Sequence, residues 1–209
     1  MNSKSPLSKR SAQIAAAMLL AALAAYIAAT EGYLTNLHAG AVSGAMIAAL
    51  ALQVVLEHHG DPSRVYVAGL SAGGAMAALA GQLYPEVFAA VGVHSGLAPG
   101  AAKDIPSAFT AMRKGAAATR GRKTRIPPTI VIHGSADSTV NPANGDQLAQ
   151  ASLASLRTAG ITLEESNSEV KHAGRGAQRT VYTAPDGMPM LETWRVNGAP
   201  HAWSGGSDQ

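Results

Sequence analysis

The chain has 209 residues, of which 47% are hydrophobic and 14% charged, with a formal net charge of +3. This length suits one domain, and this balance predicts a packed globular core rather than a disordered chain. The lack of cysteine excludes disulfides, thiolate metal sites and a lipid-modified N-terminal cysteine. Scattered basic residues with an aromatic content of only 4% argue against a nucleic-acid surface.

The N-terminal residues have the pattern of a secretory signal peptide. Residues 4–10 carry positive charges, and the apolar run 14–29 is shorter than the roughly 20 residues that a spanning helix needs. An Ala-x-Ala cleavage pattern lies at residues 22–24. We therefore predict a signal peptide over residues 1–29 and a secreted or periplasmic protein. A buried N-terminal helix and a retained membrane anchor are the alternatives.

The rest of the chain alternates between predicted helices and strands. The predicted helices cover residues 44–59, 72–83 and 147–157, and the predicted strands cover residues 65–68, 88–93, 129–132, 180–183 and 191–196. We expect the last two strands to form a hairpin, and the basic stretch 98–128 to be a loop or a loosely helical excursion. The alternation implies parallel βαβ units, so residues 30–209 are predicted to form one α/β domain.

A serine stands at the junction of a predicted strand and a predicted helix. The run Gly69-Leu70-Ser71-Ala72-Gly73 follows a short buried strand and precedes an alanine-rich helix. This context is typical of a nucleophile elbow, a strained turn that exposes a serine hydroxyl above a sheet. We expect that a Cβ at Gly69 or Gly73 would clash in so tight a turn. Ser71 is therefore the candidate nucleophile.

A serine nucleophile needs a base to accept its proton and a carboxylate to orient that base. Asp137 and His201 each follow a predicted strand, in the chain order serine, acid, histidine that α/β-hydrolases use. Asp146 is interpreted as a charge at a helix N-terminus. His94 and His133 are interpreted as structural hydrogen-bonding groups near the site. The spacing of histidines and carboxylates does not match a metal site.

These residues belong to motifs that resemble the poly(3-hydroxybutyrate) depolymerase-like esterases, a group that includes feruloyl and acetylxylan esterases. The matching segments are residues 61–76, 84–85, 89–96, 133–140, 144–145 and 201–206. The resemblance implies an α/β-hydrolase fold, with Ser71 as nucleophile, Asp137 as acid and His201 as base. It also implies that the backbone N–H of Ala72 is one oxyanion donor.

The chain departs from that family before the elbow and after the base. Family members have early sheet strands there, and a strand ending in His-Gly whose loop supplies a second oxyanion donor. Only Leu37 to Gly40 is similar to that loop. We therefore expect the early strands to be missing and the nucleophile strand to have an uncovered edge. The family also continues into a closing helix after the base, whereas this chain ends shortly after His201.

The sequence predicts a secreted serine ester hydrolase that needs no cofactor or metal. Its substrate would be a hydroxyalkanoate or aromatic polyester, or a feruloyl or acetyl ester, and no nucleic acid or stable membrane association is expected. Trp203 is a candidate apolar contact for the substrate, with simple packing as the alternative. A serine peptidase and a truncated, weakly active or inactive hydrolase remnant are the alternative functions.

Overall fold

The computed structural model describes residues 36–102, 104–115, 126–172 and 174–204. The signal peptide predicted over residues 1–29 lies outside these residues. Within the described ranges, no helix is both long enough and apolar enough to cross a membrane.

The structure is built on one six-stranded sheet. Its strands are β1 (Tyr66–Leu70), β2 (Ala90–His94), β3 (Thr129–Gly134), β4 (Glu164–His172), β5 (Arg175–Thr183) and β6 (Pro189–Val196). Their order across the sheet is β1-β2-β3-β6-β5-β4. Neighbours among β1, β2, β3 and β6 are parallel, and β5 pairs antiparallel with both β6 and β4. The predicted mostly parallel α/β sheet is therefore confirmed, including the hairpin of the last two predicted strands.

Four α-helices accompany the sheet in the described part of the chain. They are α1 (Asn36–Glu57), α2 (Ala72–Leu83), α3 (Ile105–Lys114) and α4 (Ala143–Thr158). A core cluster joins α1 and α2 through Ala48, Ala80 and Phe88, and a second cluster joins Leu148 of α4 to Leu191 of β6. Burial of these apolar side chains stabilises the packing of the helices against the sheet.

Three elements differ from the sequence predictions. Helix α1 begins at Asn36, so Leu37 to Gly40 is helical and does not form a loop of the oxyanion type. Helix α3 is regular because Asp104 and Ser107 form a reciprocal capping box at its start. Strand β4 escaped prediction because Val170 is its only apolar residue, and it pairs at the sheet edge with β5.

Strand β1 is an edge strand of the described sheet, as expected, since it pairs there with β2 alone. Tyr66, at the amino end of β1, is 63% exposed. Beside it Leu50 and Val54 of α1 are 58% and 55% exposed and line an open groove of about 630 Å³. This groove lies at the end of β1 opposite to Ser71.

Candidate active site

Ser71 occupies a strained turn between β1 and α2. Its φ of 59° and ψ of −122° lie in a region that residues other than glycine rarely adopt. The turn is fixed by the Ser71 N–H, which donates to the His94 carbonyl at 2.9 Å, and by the Ala75 N–H, which donates to the Ser71 carbonyl at 3.0 Å. Ala72 is the first residue of α2, so its N–H has no acceptor within the helix.

The glycines around this turn have different steric roles. A Cβ on Gly69 would lie 2.2 Å from the carbonyl carbon and oxygen of Gly73, so the expected clash at Gly69 is present. A Cβ on Gly73 would meet nothing within 4 Å, so the clash expected at Gly73 is wrong. The second crowded position is Gly74, where a Cβ would lie 2.9 Å from the Gly69 carbonyl oxygen. The helix turns residue 73 outward and residue 74 back onto the strand.

The side chains of Asp137 and His201 are in direct contact. Asp137 follows β3 and His201 follows β6, and these strands are parallel neighbours whose carboxyl ends meet at one edge. His201 Nδ1 lies 2.8 Å from Asp137 Oδ2. The Asp137 side chain is 0% exposed and the His201 side chain 19% exposed. Because a carboxylate only accepts, the proton of a neutral His201 sits on Nδ1, which leaves Nε2 as the basic nitrogen.

The surroundings of Asp137 keep its carboxyl group ionised. Burial alone would raise its pKa, but hydrogen bonds from the Val140 N–H, His201 and Ser95 outweigh burial and lower the pKa below its usual value. Oδ1 accepts from the N–H groups of Thr139 at 3.0 Å and Val140 at 2.8 Å. A carboxylate fixed on both oxygens can orient the imidazole of His201 and stabilise its protonated form.

Two buried histidines flank this carboxylate. His133 Nε2 donates to the Val140 carbonyl at 2.9 Å and lies 3.4 Å from Asp137 Oδ2. His94 Nε2 accepts from the Ser204 N–H at 3.1 Å. Burial lowers the pKa of both rings, so both are neutral near pH 7. Their structural hydrogen bonding beside the site agrees with the interpretation from the sequence.

The described residues show no hydrogen bond between Ser71 and His201, although both lie beyond the carboxyl ends of parallel strands. Catalytic hydrogen bonds of this kind are often long in unliganded enzymes.

Asp146 lies in the first turn of α4, as interpreted, and pairs with Arg195. Trp203 is 59% exposed, and its ring meets the His94 ring edge to face at 5.5 Å.

Ser95 is a site residue that the sequence reasoning missed. It is fully buried, has a φ of 48°, and its hydroxyl lowers the pKa of the Asp137 carboxyl. Its position directly after β2, at the edge where the other site residues meet, is the signal that could have found it.

In the part of the chain that is described, no group of three histidine, aspartate or glutamate side chains is arranged to hold a metal ion.

A known protein family matches most of this chain. Residues 28–171 match the family model described as Esterase PHB depolymerase. The chain belongs to this family.

Over 156 residues the chain is 33% identical to poly(3-hydroxyalkanoate) depolymerase C of Paucimonas lemoignei, covering 69% of this chain and 36% of that protein. It is 32% identical to the poly(3-hydroxybutyrate) depolymerase of Ralstonia pickettii, covering 70% of this chain and 31% of that protein. The chain thus spans about a third of the length of these two relatives.

A solved structure shows the same fold. The acetyl xylan esterase from Aspergillus awamori superposes with a TM-score of 0.61 at 20% identity, covering 76% of this chain and 61% of that one. This Esterase PHB depolymerase family member therefore has the α/β-hydrolase fold, as the sequence predicted.

Proposed function

We propose that this family member is a serine ester hydrolase in which Ser71 is the nucleophile, His201 the base and Asp137 the acid. The observation that supports this most strongly is the 2.8 Å contact between His201 Nδ1 and buried Asp137 Oδ2. It occurs at the same end of the parallel strands as the strained turn that carries Ser71. Strain of roughly 1–3 kcal/mol at a single serine is typical of a functional site.

The reaction divides into acylation and deacylation. His201 Nε2 accepts the Ser71 hydroxyl proton while Oγ attacks the ester carbonyl, and the resulting tetrahedral intermediate carries its negative charge on the former carbonyl oxygen. Collapse of the intermediate breaks the bond to the alkoxy oxygen, and His201 returns the proton to the leaving alcohol. Water then attacks the acyl-enzyme with His201 as base, which releases the acid and restores Ser71.

The first turn of α2 supplies the oxyanion donor in this mechanism. Ala72 follows Ser71 directly and its N–H is not engaged within the helix. The partial positive charge at the start of α2 favours the developing oxyanion as well. One such donor typically contributes about 10²- to 10³-fold to the rate.

The substrate we propose is a hydroxyalkanoate or aromatic polyester, or a feruloyl or acetyl ester, acted on outside the cytoplasm after removal of a signal peptide. The relatives named as depolymerases of poly(3-hydroxyalkanoate) and poly(3-hydroxybutyrate) support the polyester class. A feruloyl esterase B of Thermothelomyces thermophilus, 48% identical over 52 residues, supports the feruloyl class. The exposed ring of Trp203, two residues beyond the proposed base, is the apolar surface offered to the acyl or aryl group.

Hydrolysis of a short p-nitrophenyl ester by the purified chain and its Ser71→Ala variant tests the proposal. We expect Ser71→Ala to abolish turnover above the uncatalysed rate, because the residue that forms the acyl-enzyme is gone. Ser168→Ala, at an exposed serine of β4 in the distant hairpin, is the matched control and should retain the activity. Equal rates for the parent chain and Ser71→Ala would refute the mechanism.

A second candidate is a folded but weakly active or inactive remnant of the fold. Among the described residues β1, the strand that leads into Ser71, pairs on one side only, and this favours the candidate because the elbow is then supported from that side alone. Cooperative thermal unfolding without any Ser71-dependent hydrolysis would support this candidate. Ser71-dependent turnover with a kcat of about 1 s⁻¹ or more, the usual range of enzymes, would exclude it.

A further inference from the structure

A second set of contacts at the site centres on His94, the last residue of β2. Its ring is buried, with 2% of the residue exposed, and it takes no part in the proton transfers described above. His94 nevertheless contacts all three parts of the proposed machinery: the turn of the nucleophile, the loop of the base and the pocket of the acid.

The first contact is to the nucleophile turn. The His94 carbonyl accepts the N–H of Ser71 at 2.9 Å, so the backbone of β2 fixes the strained residue directly. A residue with a positive φ persists only when its surroundings hold it, and this hydrogen bond is one of the constraints that do so.

The second contact is to the loop of the base. His94 Nε2 lies 3.1 Å from the Ser204 N–H and 2.9 Å from the Ser204 hydroxyl. The His94 ring also meets Trp203 edge to face at 5.5 Å. Because Ser204 and Trp203 follow His201 closely in the same loop, these contacts restrain the position of the base.

The third contact is to the acid, through Ser95. A backbone N–H can only donate, so His94 Nε2 is the acceptor and its ring proton lies on Nδ1. Nδ1 is 3.1 Å from the Ser95 hydroxyl oxygen, which therefore accepts. The Ser95 hydroxyl proton can then point to the Asp137 carboxyl, whose pKa this hydroxyl lowers.

We propose that His94 is the positioning residue of this active site, holding the base loop through Ser204 and the acid through Ser95 while its backbone holds the Ser71 turn. This inference rests on the proposed ester hydrolysis only for its kinetic test. The neutral state that it requires fits the surroundings, since burial lowers the pKa of His94, and His133 and His201 act in the same direction against the opposing charge of Asp137.

Three variants separate the two arms of His94. His94→Phe retains a ring beside Trp203 but removes both ring nitrogens. His94→Gln offers an amide oxygen that can still accept the Ser204 N–H. Ser95→Ala removes the arm to Asp137 alone, and His58→Phe, at an exposed position after α1, is the control.

The variants are compared by kcat and KM for a p-nitrophenyl ester, with active sites counted by titration with a phosphonate ester so that unfolded chains do not contribute. We expect His94→Phe to lower kcat by about 10- to 100-fold with KM changed less than about twofold, because the base is misplaced by a fraction of an ångström or more. His94→Gln should recover most of this loss. Ser95→Ala should move the acid limb of the rate profile to higher pH, because a carboxylate with one donor fewer holds the imidazolium more strongly.

A kcat per titrated site in His94→Phe within about twofold of the parent would overturn the proposal, and so would equal losses in His94→Phe and His94→Gln. A substrate-free readout separates this result from failure of the ester hydrolysis itself. The NMR resonance of the proton between His201 and Asp137 should be lost to solvent exchange in His94→Phe and kept in His94→Gln. An unchanged resonance in His94→Phe would contradict the positioning role even in a chain that hydrolyses nothing.

Discussion

Alanine substitution at Gly69 and at Gly73 should have opposite effects on stability, although both glycines belong to the same elbow motif. A Cβ at Gly69 would lie 2.2 Å from backbone atoms of Gly73, whereas ordinary contact begins at 3.4 Å, so the turn must open by about 1 Å. Overpacking commonly lowers the free energy of unfolding by about 1–3 kcal/mol. Because the clash at Gly69 is with backbone atoms that cannot rotate away, we expect its cost to be at or above the upper end of that range. We expect Gly69→Ala to lower the free energy of unfolding by at least about 3 kcal/mol.

Gly73→Ala is the matched control, because its Cβ would meet nothing within 4 Å. Alanine is the better helix former by roughly 0.5–1 kcal/mol, and residue 73 lies in the first turn of α2. In a domain of this size 1 kcal/mol corresponds to about 2–4 °C in Tm. Thermal unfolding followed by circular dichroism should therefore show Gly69→Ala roughly 6–12 °C below the parent and Gly73→Ala about 1–4 °C above it. Equal Tm values for the two variants would refute the steric account of the elbow.

Three further outcomes follow from the site. Ser71→Gly should raise Tm by about 2–4 °C while abolishing hydrolysis, because glycine relieves roughly 1 kcal/mol of backbone strain; an unchanged or lower Tm would contradict the strain. Burial lowers the pKa of His94 and His133 in the folded chain, so the unfolded chain binds more protons below about pH 6.5, and stability should fall as pH drops below that value. Urea unfolding at successive pH values measures the free energy of unfolding as a function of pH. We expect His94→Gln to reduce its dependence on pH, and a free energy of unfolding that does not change with pH would contradict the presence of buried neutral histidines. Trp203→Ala should raise KM for an aryl ester more than for an acetyl ester at similar kcat, which steady-state kinetics on both esters would show; equal KM changes would indicate simple packing.

The parallel part of the fold could be predicted because its apolar runs are short and bounded by clear turn residues. Helix α2 has the predicted bounds, since Ser71 precedes it and Pro85 follows it. Strand β4 could not be predicted from its sequence, because its side chains are mostly exposed and it therefore has no apolar pattern. Its backbone hydrogen bonds to β5 stabilise it instead. The early start of α1 escaped prediction because its first turns carry no apolar periodicity.

The proposed acid and base could be located from the sequence because each follows a predicted strand, and parallel strands bring such residues to one edge. The contact between Asp137 and His201 is the outcome of that rule. The distinction between Gly73 and Gly74 was not predictable, because it depends on which way the first turn of α2 faces the strand. Ser95 differs from Gly74 in this respect, because its position directly after β2 could have been predicted from the sequence, although its φ of 48° could not.

The central claim, that Ser71 is a nucleophile activated by His201 and Asp137, is tested most directly by covalent labelling. The purified chain is incubated with a fluorophosphonate and its intact mass and modified peptide are measured. We predict one adduct, on Ser71, which is absent in Ser71→Ala and forms far more slowly in His201→Gln. Absence of an adduct, or an adduct on another residue, would contradict the account.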